Sequence, residues 1–203
     1  MLQIRTVAPD TLELLKKLQS IPELADIRLV GGTALAFHLG HRLSIDLDLF
    51  GHFDQETITE TLKSKTFDDF TIMVEGKAIK HYIINQVKVD LVKYDIYQWL
   101  EDVIYDDKIR IAGLKDIAAM KIAAITNRGS RKDFIDLFFL LKTFSIKEII
   151  EFYQLKYPDS NVFFAIRSLT YFDDAEKGDM PKMLIPTKWE DVKDRIIMEV
   201  KQL

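Results

Sequence analysis

The sequence has no cysteine, and only 8 glycines, 5 prolines and 2 tryptophans in 203 residues. Without cysteine there are neither disulfides nor thiolate metal ligands, which fits a reducing compartment. No apolar run approaches the roughly 18 residues that a membrane-spanning helix needs. The opening segment "MLQIRTVAPD" lacks the apolar stretch and cleavage pattern of a secretory signal, so the expected location is cytoplasmic, with no membrane partner. There is no excess of positive charge either. A formal net charge of −4 argues against a domain that coats nucleic acid non-specifically, while leaving room for a local basic patch. What is present is ordinary: 48% hydrophobic and 30% charged residues without low-complexity runs. Such a chain folds around a core of its own.

Hydrophobic spacing divides the chain into two kinds of segment. "APDTLELLKKLQSIP" predicts a helix capped at Asp10 or Thr11, with Leu12, Leu15 and Leu18 on one face and a stop at Pro22. "DIRLV" predicts a strand that runs into Gly31 and Gly32. "TALAFHL" predicts a short helix closed by Gly40, and "SIDLDLF" alternates as a strand. A helix over "DQETITETLKSK" and three strands over "FTIMVEG", "KAIKHYII" and "VKVDLVKY" follow, with "NQ" as a tight connection. From about Leu114 onward the patterning is helical, with capping boxes expected at Ser145/Glu148 and Thr187/Glu190. The expected fold class is α+β: a sheet-containing lobe over residues 1–110 and a helical lobe over 111–203.

The chemistry concentrates in "RLVGGTALAFHLGHRLSIDLDLF". Alternation puts Asp46 and Asp48 on one face of a strand, with Ile45, Leu47 and Leu49 on the other. Two carboxylates held that close repel, and burial aggravates the conflict. A divalent cation resolves it, and Mg²⁺ takes one or two carboxylates together with substrate phosphate oxygens. The preceding strand ends in Gly31-Gly32 and turns into a helix. Its free N–H groups and positive end make a phosphate site, to which Thr33 adds a hydroxyl. In "NQVKVDLVKY", Asp90 lies on the face opposite Val87, Val89 and Leu91. If that strand neighbours the first, Asp90 joins Asp46 and Asp48, and three carboxylates suffice for two Mg²⁺ roughly 4 Å apart. Further on, Ile117, Lys121, Ala124 and Arg128 share a helical face, and Asp133 and Asp136 share a face of the next helix. A basic group there can balance phosphate charge, with Asp133 holding Lys121 in position.

These residues carry a resemblance. "GG" followed by "HRLSIDLDLF" and a later strand Asp is similar to the nucleotidyltransferase fold shared with DNA polymerase β. The longer string "GGTALAFHLGHRLSIDLDLF" resembles the AbiEii-type nucleotidyltransferase toxins of bacterial abortive-infection and toxin–antitoxin systems. "KIAAITNRGSRKDFIDLFFLL" and "YFDDAEKGDMPKML" extend the similarity from about Gly31 to Trp189. The resemblance implies a nucleotidyltransferase-fold lobe followed by a helical lobe. It assigns Gly31, Gly32 and Thr33 to the phosphate turn, Asp46 and Asp48 to the metal pair, and Asp90 to the third carboxylate. Arg42 and Ser44 occupy the family's Arg and Ser before the aspartates, and Lys121 and Asp133 match a second cluster. The implied substrate is an NTP, the implied acceptor a tRNA or another RNA, and the implied partner a cognate antitoxin protein.

Other readings stand beside these. Asp46 and Asp48 can face solvent on a metal-free strand, Gly31-Gly32 can be a plain tight turn, and Lys121 with Arg128 can be a solvated helix face. "NRGSRK" suits a surface loop, and the four histidines show no metal-ligand spacing and suit structural roles. "YFDDAEKGDMPK" has no EF-hand pattern. Two rival functions remain: a glycosyltransferase using Asp46-x-Asp48 with Mn²⁺ and a sugar nucleotide, and a catalytically silent scaffold that binds partners.

Overall fold

The computed structural model describes residues 2–203. Helix α1 (Pro9–Gln19) is capped by Ala8 with Pro9 in its first turn, not by Asp10 or Thr11. Proline needs no N–H partner there and its φ is already helical, so it sets the start, and Asp10 meets the positive end from inside. Leu14, Leu15 and Leu18 form the buried face, with Leu12 at its margin.

Seven strands make one mixed sheet. They are β1 (Arg28–Val30), β2 (Leu47–Gly51), β3 (Phe70–Glu75), β4 (Ile79–Ile84), β5 (Val87–Lys93), β6 (Ile104–Asp106) and β7 (Ile109–Ile111), in the order β3-β4-β5-β2-β1-β7-β6. β2 runs parallel to β5 and β1 parallel to β7, while the other pairs are antiparallel. The "NQ" connection turns with Asn85 and Gln86 both at positive φ, 50° and 64°, the geometry that matches hairpin twist. Asp107 and Lys108 do the same at 42° and 68° and join β6 to β7, a hairpin of three-residue strands that the patterning does not announce.

In β2, Leu47 and Leu49 are buried on one face while Asp48 and Phe50 occupy the other. Ile45 departs from the expected alternation. The strand begins only at Leu47, so Ile45 lies in the preceding loop and is 68% exposed.

α2 (Gly31–Leu39) follows β1 without an intervening residue and ends at Gly40, whose φ of 65° closes it in the left-handed region. After α3 (Ile58–Lys63), the remaining helices come after the sheet: α4 (Leu114–Asn127), α5 (Arg131–Leu140), α6 (Ile146–Lys156), α7 (Val162–Ser168), α8 (Asp173–Glu176) and α9 (Trp189–Val200). The Ser145/Glu148 capping box is formed. The Thr187/Glu190 box is not. α9 is capped by Lys188, Thr187 donates to the Ile185 carbonyl, and the start is fixed by Trp189 packing 6.1 Å from Phe134 and 5.8 Å from Phe172.

Buried side chains of sheet and helices form a single hydrophobic cluster, and α4 packs on α2, α5, α6 and α7. The stretch after α8 crosses back over the loop before β2. Leu43 N–H donates to the Lys182 carbonyl, and Leu184 N–H donates to the His41 carbonyl. Among the described residues no helix is long and apolar enough to cross a membrane.

Candidate active site

Gly31 opens α2 at φ +68°, a conformation that L side chains avoid. A Cβ there would lie 2.0 Å from Asp48 Oδ2, and a Cβ on Gly32 would lie 2.3 Å from Arg42 Nη2. Both glycines are therefore demanded by neighbouring side chains, and the bare backbone leaves the first-turn N–H groups open to a ligand.

β2 and β5 bring Asp48 and Asp90 into register as direct partners, and β1 sets Val30 opposite Asp48. The two carboxylates share one face of the sheet. Burial pushes the Asp48 carboxyl above its ordinary value, and the Asp90 charge pushes it further. Asp46 precedes the strand, half-buried, with Lys132 Nζ 3.8 Å from its Oδ2. Asp90 is already engaged: the His81 ring Nδ1 is 2.7 Å from Oδ1, and Lys88 Nζ donates to Oδ2 at 2.8 Å. Among the described residues no group of three Asp, Glu or His side chains stands ready around an ion. Asp48 and Asp90 thus share one side of the sheet, Asp46 lies in the loop before β2, and the protein's own cations sit on Asp46 and Asp90. The donor set suits a hard cation: an all-oxygen group whose most buried member, Asp48, has its charge penalised by burial and by a like neighbour.

Behind the aspartates lies a buried ionic cluster. Lys121 Nζ donates to Asp133 Oδ1 at 3.0 Å and lies 2.7 Å from Asp136 Oδ2. Arg42 grips Asp136 with both Nε and Nη2, at 2.7 and 2.9 Å, and His41 Nε2 is 2.8 Å from the same carboxylate. Arg128 Nε and Ser130 Oγ donate to Asp133 Oδ2 at 2.9 and 2.5 Å. Burial alone would raise both aspartates. It is the largest single influence, but Lys121 together with Arg42 at Asp136, and with Arg128 and Ser130 at Asp133, outweighs it, and both carboxyls are held far below the usual range. Burial would likewise lower Lys121, but Asp136 and Asp133 prevail and hold it charged.

Of the expected residues, Gly31, Gly32, Asp48, Asp90, Lys121 and Arg128 border one cleft, and Thr33, Arg42, Ser44, Asp46 and Asp133 do not. Lys121 and Asp133 pair as expected. Arg42 and Thr33 face inward: Arg42 is committed to Asp136, and the buried Thr33 hydroxyl bonds the Asp46 carbonyl and lies 2.8 Å from Ser44 Oγ. Both therefore set the course of the segment that carries Asp46. Arg128 keeps 60% of its side chain exposed. A cleft of 350 Å³ brings Gly31, Gly32, Asp48, Asp90, Lys121 and Arg128 to one opening. Three residues that bind the site's side chains have no part in its chemistry as read from sequence patterning: His81, Lys88 and Asp136. Lys88 and Asp90 are two apart on a strand and so share a face. Asp136 stands one turn after Asp133.

A mixed sheet with this helix start and paired strand aspartates is the fold of a nucleotidyltransferase. The family described as "Nucleotidyl transferase AbiEii toxin, Type IV TA system" matches residues 13–202. The chain belongs to this family of nucleotidyltransferase toxins and is an enzyme of that class. An uncharacterized protein of Aquifex aeolicus is 32% identical over 98% of both chains. Among solved structures, JHP933 from Helicobacter pylori aligns over 97% of this chain and 92% of its own, with a TM-score of 0.57 at 19% identity. The nucleotidyltransferase toxin MenT4 from Mycobacterium tuberculosis aligns over 95% and 85%, with a TM-score of 0.52 at 13% identity. The antibiotic-resistance factor ANT(2'')-Ia aligns over 71% and 89%, with a TM-score of 0.52 at 14% identity.

Proposed function

We propose that the protein transfers a nucleoside monophosphate from an NTP to an acceptor hydroxyl with Mg²⁺, as the toxin of a toxin–antitoxin pair. The observation that carries this reading is the in-register pairing of Asp48 with Asp90 beside the Gly31 helix start. The triphosphate lies against the N–H groups of Gly31 and Gly32 at the positive end of α2. Arg128, exposed at the mouth, faces the phosphates from the other side of the cleft.

Asp46, Asp48 and Asp90 would hold the metal, two ions being the number three carboxylates suit; when bound, it supplies charge neutralisation on the phosphates and acidifies the attacking hydroxyl. Asp90 accepts the acceptor's proton at Oδ2 once Lys88 swings away, while His81 fixes the other oxygen. The acceptor oxygen then bonds to the α-phosphorus, the bridge to the β-phosphate breaks, and pyrophosphate leaves. Lys121 acts from behind, holding Asp133 and Asp136 and lending positive charge to the cleft wall. Arg42, Thr33 and Ser44 keep the Asp46 segment in place. In this division of labour residues 1–110 carry the carboxylates and residues 111–203 supply the basic wall.

Family membership favours RNA, tRNA included, as acceptor and a cognate antitoxin as protein partner. The reaction belongs, on this reading, to the cytoplasm, where NTP and RNA meet. One crystal structure of ANT(2'')-Ia is a complex with adenylyl-2''-tobramycin, which motivates a second acceptor class, a small molecule bearing a hydroxyl. Incubation with each α-labelled NTP, Mg²⁺, total RNA and a small-molecule cell extract tests both. Label in RNA is the expected result, and label in small molecules selects the second class. A wild-type protein that transfers nothing but binds a sugar nucleotide with Mn²⁺ would replace the reading with glycosyl transfer, and one that does neither would leave a scaffold.

A further inference from the structure

The sheet face that carries the aspartates does not end at them. Phe50 is two residues beyond Asp48, Val92 two beyond Asp90, and Ile79 two before His81, so all three continue the same face. They floor both the carboxylate cleft and a second cavity of 630 Å³. The walls of that cavity are aromatic. Tyr94 stands 5.4 Å from Phe50, Tyr97 stands 5.6 Å from Tyr94, and Tyr157 meets Tyr97 edge-on at 4.8 Å. Besides the tyrosine hydroxyls, its polar groups are Lys93, Thr126, Asn127, Asp159 and Ser160 at the margins of the aromatic and aliphatic walls. Asn127, exposed at the end of α4, lines this cavity and the cleft alike. On the same wall Ser160 Oγ is buried without a hydrogen-bond partner among the described residues.

We propose that this aromatic cavity receives the nucleobase of the NTP and that Asn127 reads the base edge. The inference rests on the nucleotidyl-transfer reading and deepens it. A triphosphate at Gly31-Gly32 leaves ribose and base to extend from the α-phosphate along the sheet floor, and the floor leads into this cavity. Flat apolar walls with a handful of polar groups are what a base-binding site needs, and aromatic rings bind any base by stacking. An amide offers a donor and an acceptor side by side, and so discriminates between base edges that stacking treats alike. A third groove of 670 Å³, beneath Phe163 and Tyr171, meets the cleft only through Asn127 and Arg128, around the end of α4. It shares none of the sheet floor.

The test measures binding of the four α,β-methylene NTP analogues with Mg²⁺, and of inorganic tripolyphosphate as a probe without a base. The proteins are the wild type, Tyr97→Ala, Ile96→Asp, Asn127→Ala and Phe163→Ala. Tyr97→Ala should weaken the analogues by about tenfold and leave tripolyphosphate within about twofold. Asn127→Ala should compress the spread of affinities among the four analogues without touching tripolyphosphate; because Asn127 also borders the third groove, Ile96→Asp, at an exposed residue that lines the aromatic cavity alone, should weaken the analogues and decides the matter should Tyr97→Ala fail to fold. Equal weakening of tripolyphosphate and analogues, or loss confined to Phe163→Ala, would overturn the assignment. A wild type that binds neither probe would overturn the nucleotidyl-transfer reading itself, which separates that failure from this one.

Discussion

Asp48 and Asp90 face each other directly across two parallel strands, and no backbone element separates their carboxylates. Two like charges in register on one buried face are a standing cost to the fold. Burial and Asp90 together raise the Asp48 carboxyl, so the folded chain retains a proton where the unfolded chain has released it. The stability lost this way is absent below about pH 3.9, grows as pH rises toward the raised folded value, and is constant above it.

Asp48→Asn should therefore melt higher than the wild type at pH 7, by about 2–4 °C for each kcal/mol relieved in a chain of this size. The advantage should vanish as the pH falls toward about 3.9. Transfer should drop by roughly a thousandfold or more, because the substitution removes a carboxylate that would hold the metal whose charge the phosphates require. Differential scanning fluorimetry from pH 3.5 to 8, alongside the transfer assay, checks both halves. An Asn variant that melts lower and transfers normally contradicts them.

Gly31→Ala should lose activity and stability together. The added Cβ would meet Asp48 Oδ2 at 2.0 Å in a backbone conformation of φ +68°. Left-handed strain costs about 1–2 kcal/mol, and displacement of Asp48 costs the metal site. Chemical denaturation and the transfer assay measure the two effects separately.

Lys121→Met leaves Asp133 and Asp136 buried with one cation fewer. Breaking such a pair typically costs about 3–5 kcal/mol, which predicts a fall in melting temperature on the order of 10 °C. The loss should persist in the absence of nucleotide, since Lys121 is bound to both aspartates without one.

Lys88→Met should lower the Mg²⁺ concentration that half-saturates transfer. The Lys88 ammonium holds Asp90 Oδ2 at 2.8 Å and is half exposed. An ion pair of that exposure is worth up to about 1 kcal/mol, so a shift of up to about fivefold is expected in a magnesium titration.

Much of this is written locally. The Gly-Gly start of α2, the alternation of β2 and β5, and the Ser145 capping box each depend on residues a few positions apart. Even His81 is within reach of the sequence: a two-residue "NQ" turn pairs Ile84 with Val87, which puts His81 opposite Asp90. The spacing of the four histidines along the chain matches no metal site and so suggests structural roles, but cross-strand register, not chain spacing, gives His81 its partner. The β6–β7 hairpin leaves no signal because three-residue strands carry no periodicity. Arg42 illustrates the opposite limit. The resemblance sets it just before the aspartates and says nothing of its partner, and its guanidinium is taken by Asp136, ninety-four residues on. Thr187 shows the same tertiary override, because the packing of Trp189 starts α9 one residue later than its box would.

The most direct measurement is a crystal structure of the wild type with a non-hydrolysable NTP and Mn²⁺, the ion located by its anomalous signal. The expected result is Mn²⁺ bound by both Asp48 and Asp90, Lys88 displaced from Asp90, and the phosphates against Gly31 and Gly32. An ion bound elsewhere, with Lys88 still on Asp90 and nucleotide away from the α2 start, would contradict the account.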